Sequence, residues 1–99
     1  MVILYVAMDI PRWLRGLYDE GKKEGRWTSV EDWAKEYGFK TATLDRWMTG
    51  ARNPEPLSCL RLAHAFDAPV NDVLEWAGHG AMSALFNVTV KGKTATGHN

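Results

Sequence analysis

The sequence predicts an all-α fold of five helices, and three observations carry that expectation. Apolar residues recur at helical spacing, first Val30, Trp33, Ala34 and Tyr37, then Leu44, Trp47 and Met48. Glycine, proline and small polar residues punctuate the rest of the chain at intervals suited to short helices. Between the two best-patterned segments, Gly38-Phe39-Lys40 is too short for anything but a sharp turn. Two short helices joined this way make a helix-turn-helix.

Local chemistry sets the boundaries of each element. Asp9 and Pro11 open a first helix, because proline lacks an N–H that the first turn could not use and its φ is preset. Trp13, Leu14, Leu17 and Tyr18 give this helix an apolar stripe, and Gly21-Lys22-Lys23-Glu24-Gly25 frays or ends it. Arg26-Trp27-Thr28 leads into the second helix, which Ser29 caps, with Glu31 and Asp32 at its positive end. Ala34 is small enough to let two helices approach. Gly38 can take positive φ and reverse the chain, and Phe39 then plugs the turn into the core. Lys40 or Thr41 opens the third helix and Gly50 ends it. Ala51 to Glu55 is a loop, and Pro56 opens a fourth helix that runs to about Phe66. Asp67-Ala68-Pro69 breaks that helix. Asn71 is expected to cap a short fifth helix that Gly78 closes.

The termini differ in character. Val2 to Ala7 is apolar but far too short to span a membrane, and it lacks the features of a signal peptide. It reads either as a β-strand or as an extension upstream of a natural start at Met8. Ala84 to Lys91 alternates like a strand, with Phe86, Val88 and Val90 on one face. Three outcomes stay open for the two segments: pairing within the chain, pairing across a dimer axis, or a frayed tail. The polar Lys93 to Asn99 is expected to be disordered. The organisation is then an extension or strand over 1–8, a helix-turn-helix domain over 9–80, and a strand-like segment with a tail over 81–99.

Charge and cysteine narrow the function classes. The formal net charge is zero, which is unusual for a nucleic-acid binder. The distribution is uneven. Between Tyr37 and Asn53, Lys40, Arg46 and Arg52 face only Asp45, whereas between Pro54 and Gly80, Glu55, Asp67, Asp72 and Glu75 face only Arg61. The single cysteine, Cys59, precludes an internal disulfide. It falls in an apolar helical pattern with Leu57, Leu60 and Ala63, so a buried thiol in a reducing cytoplasm is expected. His64, His79 and His98 have no metal-ligand spacing with it. No nucleophile–base pair, phosphate-binding glycine loop or convergent carboxylate pair can be assembled, so no catalytic residue, metal or cofactor is assigned. Of the five tryptophans, Trp33 and Trp47 belong in the core, while Trp13, Trp27 and Trp76 are divided between core and interface roles.

Residues 29 to 78 resemble the phage repressor and Cro-like helix-turn-helix family of DNA-binding regulators, whose fold is the lambda-repressor-like five-helix bundle. The resemblance rests on the Ala-x-x-x-Gly step at Ala34 and Gly38, the hydrophobics Phe39, Leu44 and Trp47, and the Gly-x-x-Asn-Pro ending at Gly50, Asn53 and Pro54. Leu57, Leu60, Leu62, Ala63, Phe66, Val70, Val73 and Leu74 extend it over the family's fourth and fifth helices, and residues 9 to 26 fit the first more loosely.

The resemblance implies a regulator that occupies double-stranded operator DNA as a homodimer, with neither a membrane nor a small-molecule partner. Lys40, Thr41, Ala42, Thr43 and Arg46 then hold the recognition positions. Arg46 can bond guanine O6 and N7 together, worth roughly 1–3 kcal/mol of discrimination. Thr28, Ser29, Lys40, Arg52 and Asn53, with the backbone amides opening the second helix, fall to the phosphate backbone. One position departs from the pattern: Val30 stands where the family often has a glutamine that braces both phosphate and recognition helix. The same fold used as a protein-interaction module, antitoxin-like or anti-repressor, is the alternative.

Overall fold

The computed structural model describes residues 8–81, which form five α-helices and no strand. These are α1 (Ile10–Lys23), α2 (Val30–Tyr37), α3 (Thr41–Thr49), α4 (Pro56–Ala65) and α5 (Val70–Trp76). None of them is long and apolar enough to cross a membrane. The strand-like segments 2–7 and 84–91, and the tail after them, lie outside the described residues. The helices fall into two compact units divided between Asn53 and Pro54, with α1–α3 in one and α4–α5 in the other.

In the first unit, α1 starts as the sequence predicts. The Asp9 carboxylate accepts from the Arg12 amide at 2.9 Å, and Pro11 sits in the opening turn. Leu14 is fully buried, and Trp13, Leu17 and Tyr18 are half-buried beside it. Full burial of such a side chain stabilises by roughly 1.5–3 kcal/mol. The helix ends within the Gly21–Gly25 segment, as the sequence predicts, but not at Gly21 itself. Gly21 is a buried interior residue, because the Trp27 indole lies where a Cβ would stand. The helix ends just beyond, where Gly25 takes φ +80° and the Arg26 amide reaches back to the Gly21 carbonyl at 2.8 Å.

Trp27 is a core residue, not an interface one. It is 4 % exposed, and its Nε1–H donates to the Tyr18 carbonyl at 2.9 Å. Its ring stacks on Trp33 at 5.5 Å and meets Tyr37 edge-on at 6.0 Å. Tyr18 lies 5.5 Å from Trp33 on the other side. Four rings thereby tie α1, the connecting loop and α2 together.

The α2–α3 corner is a left-handed helix stop. Gly38 has φ +77°, the Phe39 amide donates to the Ala34 carbonyl at 2.8 Å, and the Gly38 amide donates to Lys35 at 3.3 Å. This pair of bonds satisfies two carbonyls that the helix end leaves open. The bonds also draw Phe39 down, leaving it 8 % exposed with its ring 5.9 Å from Trp47 in an edge-on contact.

The second unit departs from the sequence reading in two places. On α4 the buried positions are Cys59, Leu62 and Ala63, while Leu57 is 70 % and Leu60 37 % exposed. The apolar stripe therefore runs along a different face from the one drawn through Leu57 and Leu60. Asn71 does not cap α5. Pro69 occupies the cap position, with φ −64° and ψ 128°, and its carbonyl accepts the Val73 amide at 3.1 Å. The proline ring already sets the extended cap geometry, so the helix opens earlier than the asparagine suggests. The ends of both helices are left-handed: Asp67 takes φ 53° after α4, and Gly78 takes φ 84° after α5.

Candidate nucleic-acid interface

All nine residues proposed for DNA contact lie in the first unit. Lys40 caps α3 through its backbone, its carbonyl accepting from the Leu44 amide at 3.0 Å, and its exposed side chain makes no cap bond. Thr41, Ala42 and Thr43 form the first turn of the helix. Leu44, Trp47 and Met48 bury one side of α3. At about 100° per residue the opposite side carries Thr41, Ala42, Asp45, Arg46 and Thr49, all exposed. Thr43 falls at the margin and is half-buried. Three of the five recognition candidates in and before α3 thus share one solvent stripe, with Asp45 in its middle.

Arg46 and Arg52 are linked through the main chain. The Arg52 amide donates to the Arg46 carbonyl at 3.2 Å after Gly50 turns the chain at φ +81°. The Thr49 hydroxyl is engaged with the main chain. It donates to the Arg46 carbonyl at 3.3 Å and accepts from the Ala51 amide at 3.4 Å, which closes the helix. Arg52 and Asn53 are exposed in the adjoining loop.

At the opening of α2 the polar groups are engaged with one another. Ser29 Oγ accepts from the Asp32 amide at 3.1 Å, and the Asp32 carboxylate accepts from the Thr28 amide at 3.2 Å. This reciprocal cap fixes the start of α2. It also places a carboxylate, with Glu31 beside it, at the helix end proposed for phosphate. Two amides there, those of Thr28 and Asp32, already have acceptors, and the side-chain hydroxyls of Thr28 and Ser29 are exposed. Val30 is half-buried in the first turn of α2.

Two further features escaped the sequence. The Arg15 Nε–H of α1 donates to the Met48 carbonyl in the last turn of α3, 3.1 Å away and across 33 positions of sequence. No local pattern marks an arginine in a helix middle as a tie to another element. Arg26 lies 5.2 Å over the Trp27 ring and pairs with Glu24 at 2.9 Å, so this cation close to Thr28 is partly neutralised.

Cys59 is buried in the second unit, where its thiol donates to the Pro54 carbonyl at 3.7 Å. Burial pushes that thiol up to about 11 from 9.0. Its neutral form dominates at physiological pH, which makes it a poor nucleophile. His79 Nε2 lies 2.9 Å from the same carbonyl. A carbonyl can only accept, so Nε2 carries the proton. Among the described residues no three of His, Cys, Asp and Glu are grouped to hold a metal ion.

No family model, curated protein or solved structure matches this chain. The resemblance to phage regulators therefore rests on the motif residues themselves.

Proposed function

We propose that this chain is a sequence-specific double-stranded DNA-binding regulator of the phage repressor and Cro-like type, acting without catalysis. It occupies operator DNA as a homodimer and represses by occluding a promoter. One observation supports this above the rest: α3 comes after a tight left-handed turn and presents Thr41, Ala42 and Arg46 on one exposed face. In such units the opening turns of the second helix meet base edges in the major groove. Arg46 serves guanine, Thr41 and Thr43 serve bases or phosphate, and the Ala42 methyl meets thymine. Lys40, Arg52, Asn53, Thr28 and Ser29 hold the backbone.

A second reading, a protein-interaction module on the same fold, is favoured by two observations. Asp32 and Glu31 put negative charge at the α2 end proposed for phosphate, and Leu57 and Leu60 are exposed on α4. Fluorescence anisotropy on intergenic duplex pools, at low and near-physiological salt, separates the two. Binding that weakens with salt and disappears in Arg46→Ala supports the regulator. No binding at low salt supports the interaction module.

A further inference from the structure

The third helix is held from outside at its C-terminal end by one residue of α1, Arg15, with Pro11 close by. Pro11 and Arg15 are four positions apart and so share one face of α1. The Pro11 ring comes within 3.5 Å of the position a Cβ would take on Gly50. One turn along, Arg15 Nε donates to the Met48 carbonyl at 3.1 Å. The last carbonyls of a helix have no partner inside it, and a guanidinium there satisfies both the oxygen and the negative end of the dipole. The Arg46 carbonyl, one turn from the end of α3, is taken by the Arg52 amide and the Thr49 hydroxyl. Met48 is the carbonyl that α1 takes.

We infer that Arg15 is a positioning residue for the recognition face, setting the tilt of α3 from the end opposite Thr41 and Ala42. This rests on the DNA-binding function proposed for the chain. α3 is nine residues long, and tilting such a helix by about 5° moves its far end by roughly 1 Å. Thr41 and Ala42 stand at that far end, and a directional hydrogen bond or methyl contact to a base edge does not survive an error of that size, whereas attraction to phosphate does. Loss of the Arg15 bond therefore acts on sequence discrimination more than on general affinity. Arginine is required because its Nε–H is fixed in the guanidinium plane, and a lysine ammonium at the end of a flexible stem does not reproduce it.

The test selects a preferred duplex for the wild type from a random pool. Affinities for that duplex and a scrambled duplex of equal length are then compared for wild type, Arg15→Lys and Arg15→Met, well below each thermal midpoint. Arg15→Lys keeps the charge, so scrambled-duplex affinity is expected to stay within about twofold. Affinity for the selected duplex is expected to fall roughly tenfold, the scale of one mismatched base pair. A purely structural role lowers the midpoint, leaves the ratio of the two affinities alone and overturns the inference. An unchanged ratio in Arg15→Lys, which circular dichroism shows to be folded, is that outcome, and it leaves DNA binding standing. Failure of the wild type to bind any duplex overturns the DNA-binding reading and the inference together.

Discussion

Gly21 and Trp27 fit together as socket and plug: the indole ring occupies the volume that any Cβ at position 21 would need, and its N–H bonds to Tyr18 three residues earlier on the same helix. Helix propensity disfavours glycine in a helix interior. The residue stands there to admit a ring that also touches Trp33 and Tyr37.

Substituting Gly21→Ala is expected to destabilise by roughly 1–3 kcal/mol, the range for overpacking a filled site, despite alanine's better helix propensity. Urea unfolding measures it. A midpoint equal to or above the wild type would show that the ring does not sit on Gly21.

Two other glycines give opposite signs. Gly38 has nothing within 4 Å of a Cβ but sits at φ +77°, so Gly38→Ala costs about 1–2 kcal/mol from backbone conformation alone. Gly16 is exposed in mid-helix with equally open space, so Gly16→Ala is expected to stabilise by about 0.5–1 kcal/mol. Thermal midpoints of the pair, moving apart around the wild type, check both.

Asp32→Asn separates folding from binding. The asparagine oxygen can still accept from the Thr28 amide, while the charge that suits the α2 dipole is lost, for a stability cost of about 0.3–1 kcal/mol. On the DNA reading, removal of that carboxylate strengthens duplex binding at low salt. A variant that is both less stable and weaker on DNA would count against phosphate contact at this end.

The buried thiol makes stability depend on alkaline pH. Its folded pKa is raised from 9.0 to about 11, so its contribution is complete below pH 9. Above that, the unfolded thiol ionises first, and stability falls by roughly 2–3 kcal/mol by the time the pH passes 11, at about 1.36 kcal/mol for each pH unit. The slope of stability against pH between 9 and 11 should be shallower in Cys59→Ala than in the wild type. At a pH of about 8, well below the raised value, iodoacetamide is expected to label Cys59 at the rate of global or local unfolding.

The parts of the fold legible in the sequence are those fixed by local chemistry. Ser29, Pro11, Gly38, Gly50 and Gly78 announce helix ends because the cap or the left-handed φ is a property of one or two residues. Asn71 misleads because it competes with Pro69 two positions away, and the ring's preset φ decides the cap. The phase of α4 is ambiguous because Leu57, Cys59, Leu60, Leu62 and Ala63 offer two apolar faces, and only packing chooses between them. At the candidate interface, the exposed stripe through Thr41, Ala42 and Arg46 comes from helical period. The cap at Ser29 and Asp32 follows from their local spacing, whereas the Arg15–Met48 tie depends on side-chain geometry between residues 33 positions apart that no periodicity relates.

The Pro54 carbonyl, bonded by both Cys59 and His79, makes the stretch between proline and histidine one whose entry and exit adjoin. The chain after His79 thus departs from beside the point where this stretch began. A truncation that ends before His79 therefore removes one of the two side-chain bonds to the Pro54 carbonyl and loosens the start of the stretch from its end.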